Sequence, residues 1–303
     1  QVMPAVVVTS FSPIYGSVRG GTKVNIHATN IHQSGVSFCR FSGQYSQRLR
    51  ASASGPHSIR CVTPRSLAGR GFSDIEISIN GVNWEKITTN NTRFEYVGHP
   101  AVSGVSYNVG GYAGGTPMVL EGSDMHPLHI SNITGTQRCR FTSRESNFTA
   151  IVVPLSMLPD RVVCVTPPLP SSLRADGAQL RTSVVPVALE YTSNGVDYHT
   201  SRNSIFSYVP NPQILSYRPR NGHEVGGTHV ILTGLNMRES SGLLCRFGAS
   251  SEASAAMYHD DTSITCISPS HEASDVNLMV SINGGANWLY APGYFTFFTT
   301  LQV

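Results

Sequence analysis

The chain has 303 residues, 40% of them hydrophobic, enough to bury a core in each of two or three domains, yet only 13% are charged, against about 25% in ordinary soluble domains. Its 28 glycines and 18 prolines suit short strands joined by turns and argue against long helices, and no apolar run approaches the ~20 residues of a membrane helix. The net charge of +3 comes from scattered arginines, with lysine nearly absent; Arg48 with Arg50, and Arg138 with Arg140 and Arg144, are short patches that read as solvated strand faces, not the basic stripe of a nucleic-acid binder.

In chain order, the first residues offer Gln1 and no basic-then-apolar leader, which reads as a mature chain or a piece of a larger protein, with any anchor outside it. Lys23 to Ala28 alternates with period two, placing Val24, Ile26 and Ala28 on one face, and Asp74 to Ile79 does the same with three isoleucines, leaving Asp74 and Glu76 solvated. Asn80-Gly81 then predicts a tight type I′ hairpin, which needs positive φ at both central residues. The middle of the chain repeats this order with longer intervals, and Asn277 to Ile282 largely restores the first alternation. Short β-branched segments separated by turn residues predict sandwiches of two sheets.

Five landmarks recur three times in the same order. Gly-Gly-Thr stands at 20–22, 114–116 and 226–228, and reads as a sharp reversal into the second strand. Cys-Arg-Phe begins at Cys39, Cys139 and Cys245; Cys-x-(Thr/Ser)-Pro runs from Cys61, Cys164 and Cys266. Asn-Gly precedes Trp84, Tyr198 and Trp288. Each unit closes on an aromatic pair, Phe94 with Tyr96, Phe206 with Tyr208, Phe295 with Phe297. The expected organisation is all-β, three tandem sandwich domains over 1–98, 99–209 and 210–303, in a semi-extended rod, because few residues separate Tyr96 from Pro100 and Tyr208 from Pro212.

Six cysteines allow fifteen pairings, and the repeat selects Cys39 with Cys61, Cys139 with Cys164, and Cys245 with Cys266. Without closely spaced cysteines a zinc site is the weaker reading. Disulfides place the chain in an oxidising compartment, and sequons at Asn90, Asn132 and Asn147 agree with a secreted glycoprotein.

The ordered set of Gly-Gly-Thr, Cys-Arg-Phe, Cys-x-Thr-Pro, Asn-Gly-x-x-Trp and closing Phe-x-Tyr resembles the IPT/TIG family of immunoglobulin-like domains, over the whole chain. The paired cysteines resemble its extracellular branch, which includes plexins, the hepatocyte growth factor receptor, fibrocystin-like proteins and adhesion proteins of protists; the basic phosphate-holding loops of its DNA-binding branch have no match here. With no cysteine-rich module between units, the sequence favours a tandem-array protein over a plexin. The resemblance implies cell-surface recognition or adhesion and leaves the partner open.

No constellation for catalysis stands out. The histidines recur at no equivalent position in all three units and read as strand-face residues; Asp124, His126 and His129 form the tightest group of metal-ligand types, in a loop. Asp260-Asp261 fits a turn, no carboxylate pair suits a glycosidase, and Gly110 to Gly115 lacks the helix and lysine of a phosphate loop. Trp84, Tyr198 and Trp288 admit a sugar-stacking row, but the same position in every copy favours packing. The middle unit differs by two insertions, Ser123 to Gln137 and Pro168 to Arg181, where Asp124, His126, His129, Pro168, Leu173, Arg174, Asp176 and Arg181 are candidates for partner binding. Exposed edge strands offer a second binding mode. The expected function is protein recognition or adhesion, including self-association, without enzyme activity or cofactor; the alternatives are a spacer or assembling element of an extracellular filament, and a carbohydrate-binding module.

Overall fold

A computed structural model describes residues 6–31, 37–42, 47–87, 93–125, 136–174, 184–240, 242–249 and 251–299. Among them the secondary structure is strand throughout, apart from one 3-10 turn at Ser171–Leu173. Alternating side chains drive this result: in Lys23–Thr29, Val24, Ile26 and Ala28 are buried while Lys23, His27 and Thr29 face water.

The strands pair within three consecutive sets. In each, a four-stranded antiparallel sheet faces a second sheet. In the first set the former comprises Val7–Ser12, Lys23–Thr29, Ser58–Val62 and Ser52–Gly55; in the second Ala101–Val105, Pro117–Ser123, Arg161–Val165 and Ser156–Met157; in the third Gln213–Arg218, His229–Leu235, Ser263–Ile267 and Met257–Asp260. The facing sheets of the second and third sets have five strands, running Val109–Gly111, Ile205–Val209, Val185–Thr192, Arg138–Ser143, Phe148–Val152 and Asn221–His223, Leu289–Phe298, Asp275–Ser281, Leu244–Phe247, Ser254–Ala255. These are immunoglobulin-like sandwiches.

In the first unit the facing sheet divides, while the strand expected over 74–79 forms as Ile75–Ser78 with Ile75 and Ile77 buried. Gly71–Ser73 pairs with Phe94–Val97, and Ile75–Ser78 pairs with Phe38–Phe41. The break falls at Asp74, whose N–H donates to Ser42 Oγ at 2.7 Å, so a side chain takes the place of a ladder partner. Nor is Asp74 merely solvated: it holds Lys86 at 2.9 Å and Arg93 at 2.8 Å, and the Lys86 hydrogen bond, partly opposed by desolvation, keeps its carboxyl below the usual range.

Each core is bridged from sheet to sheet by one disulfide, Cys39–Cys61, Cys139–Cys164 and Cys245–Cys266, with Cα atoms 6.3, 6.3 and 5.8 Å apart. In the first and third units the Cys-Arg-Phe phenylalanine meets the closing pair edge-on, with ring centroids 5.5 Å apart for Phe41 and Phe94 and 5.0 Å for Phe247 and Phe295; in the second, Phe206 and Tyr208 meet edge-on at 5.0 Å within the closing pair.

Candidate functional site

Three of the recurring landmarks fold into one corner at the C-terminal pole of each unit. The amide of the Gly-Gly-Thr threonine donates to the hydroxyl of the Cys-x-(Thr/Ser)-Pro motif: Thr22 to Thr63 Oγ1 at 3.1 Å, Thr116 to Thr166 Oγ1 at 3.0 Å, Thr228 to Ser268 Oγ at 3.0 Å. That bond accounts for the hydroxyl residue in the motif. The first glycine has φ of +74°, +72° and +86° in the three copies, and a Cβ there would strike the backbone of Pro64, Pro167 or Pro269. The closing tyrosine locks the corner, Tyr96 Oη donating to Pro64 O at 3.1 Å and Tyr208 Oη to Pro167 O. In the third unit Phe297 lacks that hydroxyl, and His271 stacks on its ring at 4.8 Å instead.

At the opposite, N-terminal pole lies the Asn-Gly turn, and here the expectation of a type I′ hairpin fails. Only the glycines Gly81, Gly195 and Gly284 have positive φ; the asparagines do not. The Asn side chain builds the turn instead. Asn80 Oδ1 accepts from the amides of Val82 and Asn83, both at 2.9 Å; Asn194 Oδ1 accepts from Val196 at 3.1 Å and Asp197 at 2.9 Å; Asn283 Oδ1 accepts from Asn287 at 3.0 Å. With Oδ1 committed, the Nδ2 group is left to face outward.

The two poles meet between consecutive units. At the first joint, Thr22 Oγ1 donates to Asp197 Oδ2, Asn194 Nδ2 donates to Tyr15 O at 3.3 Å, and Tyr15 Oη donates to Ser193 O. Burial raises the Tyr15 phenol above its ordinary value. Arg70 and Asp124 pair across the same joint at 2.6 Å. At the second joint, Thr116 Oγ1 donates to Asn287 Oδ1 at 2.8 Å, Asn283 Nδ2 to Thr116 Oγ1 at 3.3 Å, Asn287 Nδ2 to Gly115 O at 3.3 Å, and Tyr107 Oη to Gly284 O at 3.3 Å. Both joints therefore use the same key: the threonine of one corner enters the Asn-Gly turn of the next unit. Sequence reading treated these landmarks as turns internal to each unit.

The first joint also contains a histidine pair the sequence reading passed over. His99 and His199 meet edge to face at 4.9 Å, and His99 Nδ1 lies 2.9 Å from Ser17 Oγ. Burial lowers both below the ordinary histidine value of 6.5; Arg19 adds to this for His99, and the neighbouring ring for His199, while Asp197 and Asp124 act in the opposite direction on His99.

The Cys-Arg-Phe arginine lies on the aromatic that follows Asn-Gly. Arg40, Arg140 and Arg246 sit 4.3, 3.7 and 4.4 Å from the ring centres of Trp84, Tyr198 and Trp288, on the outer sheet face. Arg40 also pairs with Glu76, and Arg140 with Glu190 at 2.6 Å. Met279 stands opposite Arg246 in the strand register where those acids stand, and Arg246 Nε is buried without a hydrogen-bond partner. One face of each ring is therefore taken by a guanidinium.

Of the candidate loop residues, Asp124 is drawn into the first joint, Pro168 is exposed, Leu173 packs against the middle core, and Arg174 Nε donates to Leu169 O at 2.7 Å, closing the loop on itself. His126, His129, Asp176 and Arg181, and the sequons at Asn90 and Asn132, lie outside the described residues. Asn147 is exposed at the tip of the hairpin between Arg138–Ser143 and Phe148–Val152, with φ of +50°. Among the described residues no three metal-ligand side chains converge, and no helix is long and apolar enough to cross a membrane. A polar pocket of about 370 Å³ on the middle unit is lined by Ser103, Val119, Glu121, Gly122, Asp160 and Arg161.

Consecutive disulfide-bridged immunoglobulin-like sandwiches, keyed end to end by recurring motifs, define an extracellular modular protein, since such disulfides persist in oxidising compartments. The IPT/TIG domain model matches residues 6–96 and 212–297, more than half of the chain, which therefore belongs to the IPT/TIG family. Among curated proteins it is similar to Plexin-A2 of Homo sapiens, 22% identical over 277 residues (87% of this chain), and to Plexin-A4 of Danio rerio, 24% identical over 267 residues (86% of this chain). It spans only 13% of the length of either relative. Among solved structures it is similar to the plexin A4 full extracellular region, with 14% identity and a TM-score of 0.46, covering 97% of this chain and 24% of that one. The missing cysteine-rich module, read from the sequence as favouring a tandem-array protein over a plexin, does not separate the chain from plexins, because the aligned plexin segments run through most of this chain.

Proposed function

We propose that the chain is a non-catalytic recognition segment of a cell-surface ectodomain, three modules bounded at 98/99 and 209/210 and held in a stiff rod that presents the middle module to a protein partner. The supporting observation is an apolar edge peculiar to that module. Phe148–Val152 is the outer strand of its sheet, and Ile151, Val153, Leu155 and Leu158 are all exposed on and just beyond it. The equivalent edge strands of the sister units are shorter, Leu49–Arg50 in the first and Ser254–Ala255 in the third. A row of exposed side chains next to unpaired strand amides suits a partner that adds a strand or packs an apolar face. The neighbouring insertion, Pro168 to Arg181, would border such a contact.

The test is binding of the multimerised chain to a panel of extracellular proteins, with the double variant Ile151→Lys/Leu155→Lys alongside. Binding that falls at least tenfold in the double variant supports the assignment. Binding unchanged in it removes this edge from consideration, and trimming Pro168 to Arg181 then asks whether the loop carries the contact.

A further inference from the structure

The arginine on the outer sheet face has a carboxylate partner in two units and a thioether in the third. Arg40 stands opposite Glu76 in the strand register and Arg140 opposite Glu190, and each Nε donates to its acid. Met279 takes that place opposite Arg246. In the first unit the next strand sets Lys86 opposite Glu76; in the third it sets Tyr290 opposite Met279. A row of alternating charge thus becomes one cation beside a thioether and a phenol. The row crosses the three inner strands of the five-stranded sheet, on the side of the sandwich and not at a pole.

Among the described residues no carboxylate lies within ion-pair distance of Arg246. Its Nε is buried without a hydrogen bond, while the terminal nitrogens reach the surface. The guanidinium is nevertheless held in place, its carbon 4.4 Å from the ring centre of Trp288. Stacking of this kind uses the flat face of the group and leaves its N–H donors, which lie in the plane, uncommitted. A carboxylate approaching in that plane therefore meets a fork whose side-chain freedom is already spent. Met279 is buried beneath the row and Tyr290 is 66% exposed beside it, an apolar surround that strengthens the attraction of opposite charges.

We propose that the third unit binds a glutamate or aspartate side chain of a protein partner at Arg246, the partner supplying in trans the carboxylate that Glu76 and Glu190 supply within the first two units. The sister units show which chemistry fits: in both, an acidic side chain reaches the guanidinium from a neighbouring strand. The partner's carboxylate pairs with the terminal nitrogens of Arg246, and Met279 and Tyr290 lie against its aliphatic stem. The site is independent of the apolar edge of the middle unit, which lies on another module and calls for a different side-chain chemistry.

A random peptide library displayed on phage, panned on the whole chain, tests it. Met279→Glu serves as counter-selection, because that variant carries its own carboxylate at the register position of Glu76 and Glu190. Enriched peptides are expected to share an acidic residue. Changing that residue to its amide, or Arg246→Met in the chain, should weaken binding by about tenfold or more. Met279→Glu should also raise the denaturation midpoint of the third unit, and Met279→Glu/Arg246→Met should lose that gain. The Ile151→Lys/Leu155→Lys variant should bind the enriched peptides as the wild type does. A library without an acidic consensus overturns the proposal, as does binding that survives Arg246→Met or a midpoint that Met279→Glu does not raise. Arg246-dependent binding of sialylated or uronic-acid glycans on an array, in place of acidic peptides, overturns the protein partner and assigns the site to sugar.

Discussion

Replacing Thr22 by valine keeps the shape of the side chain and the amide bond to Thr63, and removes only the hydroxyl that crosses the first joint to Asp197. Thr22 is fully buried, so no water substitutes for the lost donor. A hydrogen bond to a charged acceptor contributes roughly 1.5–3 kcal/mol, and the partly exposed carboxylate puts this one near the low end, about 1.5 kcal/mol. Thr116→Val removes the same hydroxyl from a neutral acceptor, Asn287, and is expected to cost about 1 kcal/mol. The joint exists only when both units are folded, so the loss appears as earlier melting of the less stable neighbour, by roughly 4–8 °C per kcal/mol for a domain of this size. Calorimetry on Thr22→Val, Asp197→Ala and the double variant closes a cycle with an expected coupling of roughly 1–2 kcal/mol. Repeating the valine change in an Asp197→Asn background should lower its cost toward that of Thr116→Val. Additive single effects, within about 0.5 kcal/mol, would refute the claim that the threonine acts across the joint.

The histidine pair makes the first joint sensitive to acid. Both rings titrate below 6.5 in the folded chain, so above that value both the joined and opened states are neutral and the joint has its full strength; as pH falls below it, exposed rings of the opened state protonate first and the joint weakens. Small-angle scattering should show broader inter-unit distances on going from about pH 7.5 to about pH 5.5; His199→Phe should reduce that dependence and His99→Phe/His199→Phe should remove it. The three sheet-face arginines differ in what they leave behind. Arg140→Met strands Glu190 and should destabilise the middle unit by about 1–3 kcal/mol, whereas Arg246→Met discards an unsatisfied buried Nε and should be neutral or slightly stabilising, as read by chemical denaturation. Asn147, exposed at a hairpin tip, should carry a glycan when the chain passes through a eukaryotic secretory pathway; Asn147→Gln would then remove one glycan mass in intact-protein spectra, and an unchanged mass would exclude occupancy.

Much of the fold was legible because its determinants are local. The alternation of Val24, Ile26 and Ala28 needs only the two-residue period of a strand to sort inside from outside, and three copies of each landmark show that the same unit is built three times. The break at Asp74 was not legible, because the competing partner, Ser42, is distant in the chain and unremarkable in its type. The turn at Asn80 was misread for a related reason: Asn-Gly permits positive φ at both residues, but the asparagine carboxamide finds two amides to hold and stays in ordinary backbone. Composition and repetition alone established a strand-built, modular chain with cysteines in matched positions. Only the tertiary structure decided what the landmarks are for. Thr22 and Asp197 are separated by 175 positions, and no periodicity connects them. They meet because each corner lies at the end of its sandwich where the next one begins, so the key to each joint is divided between two units and invisible in either one.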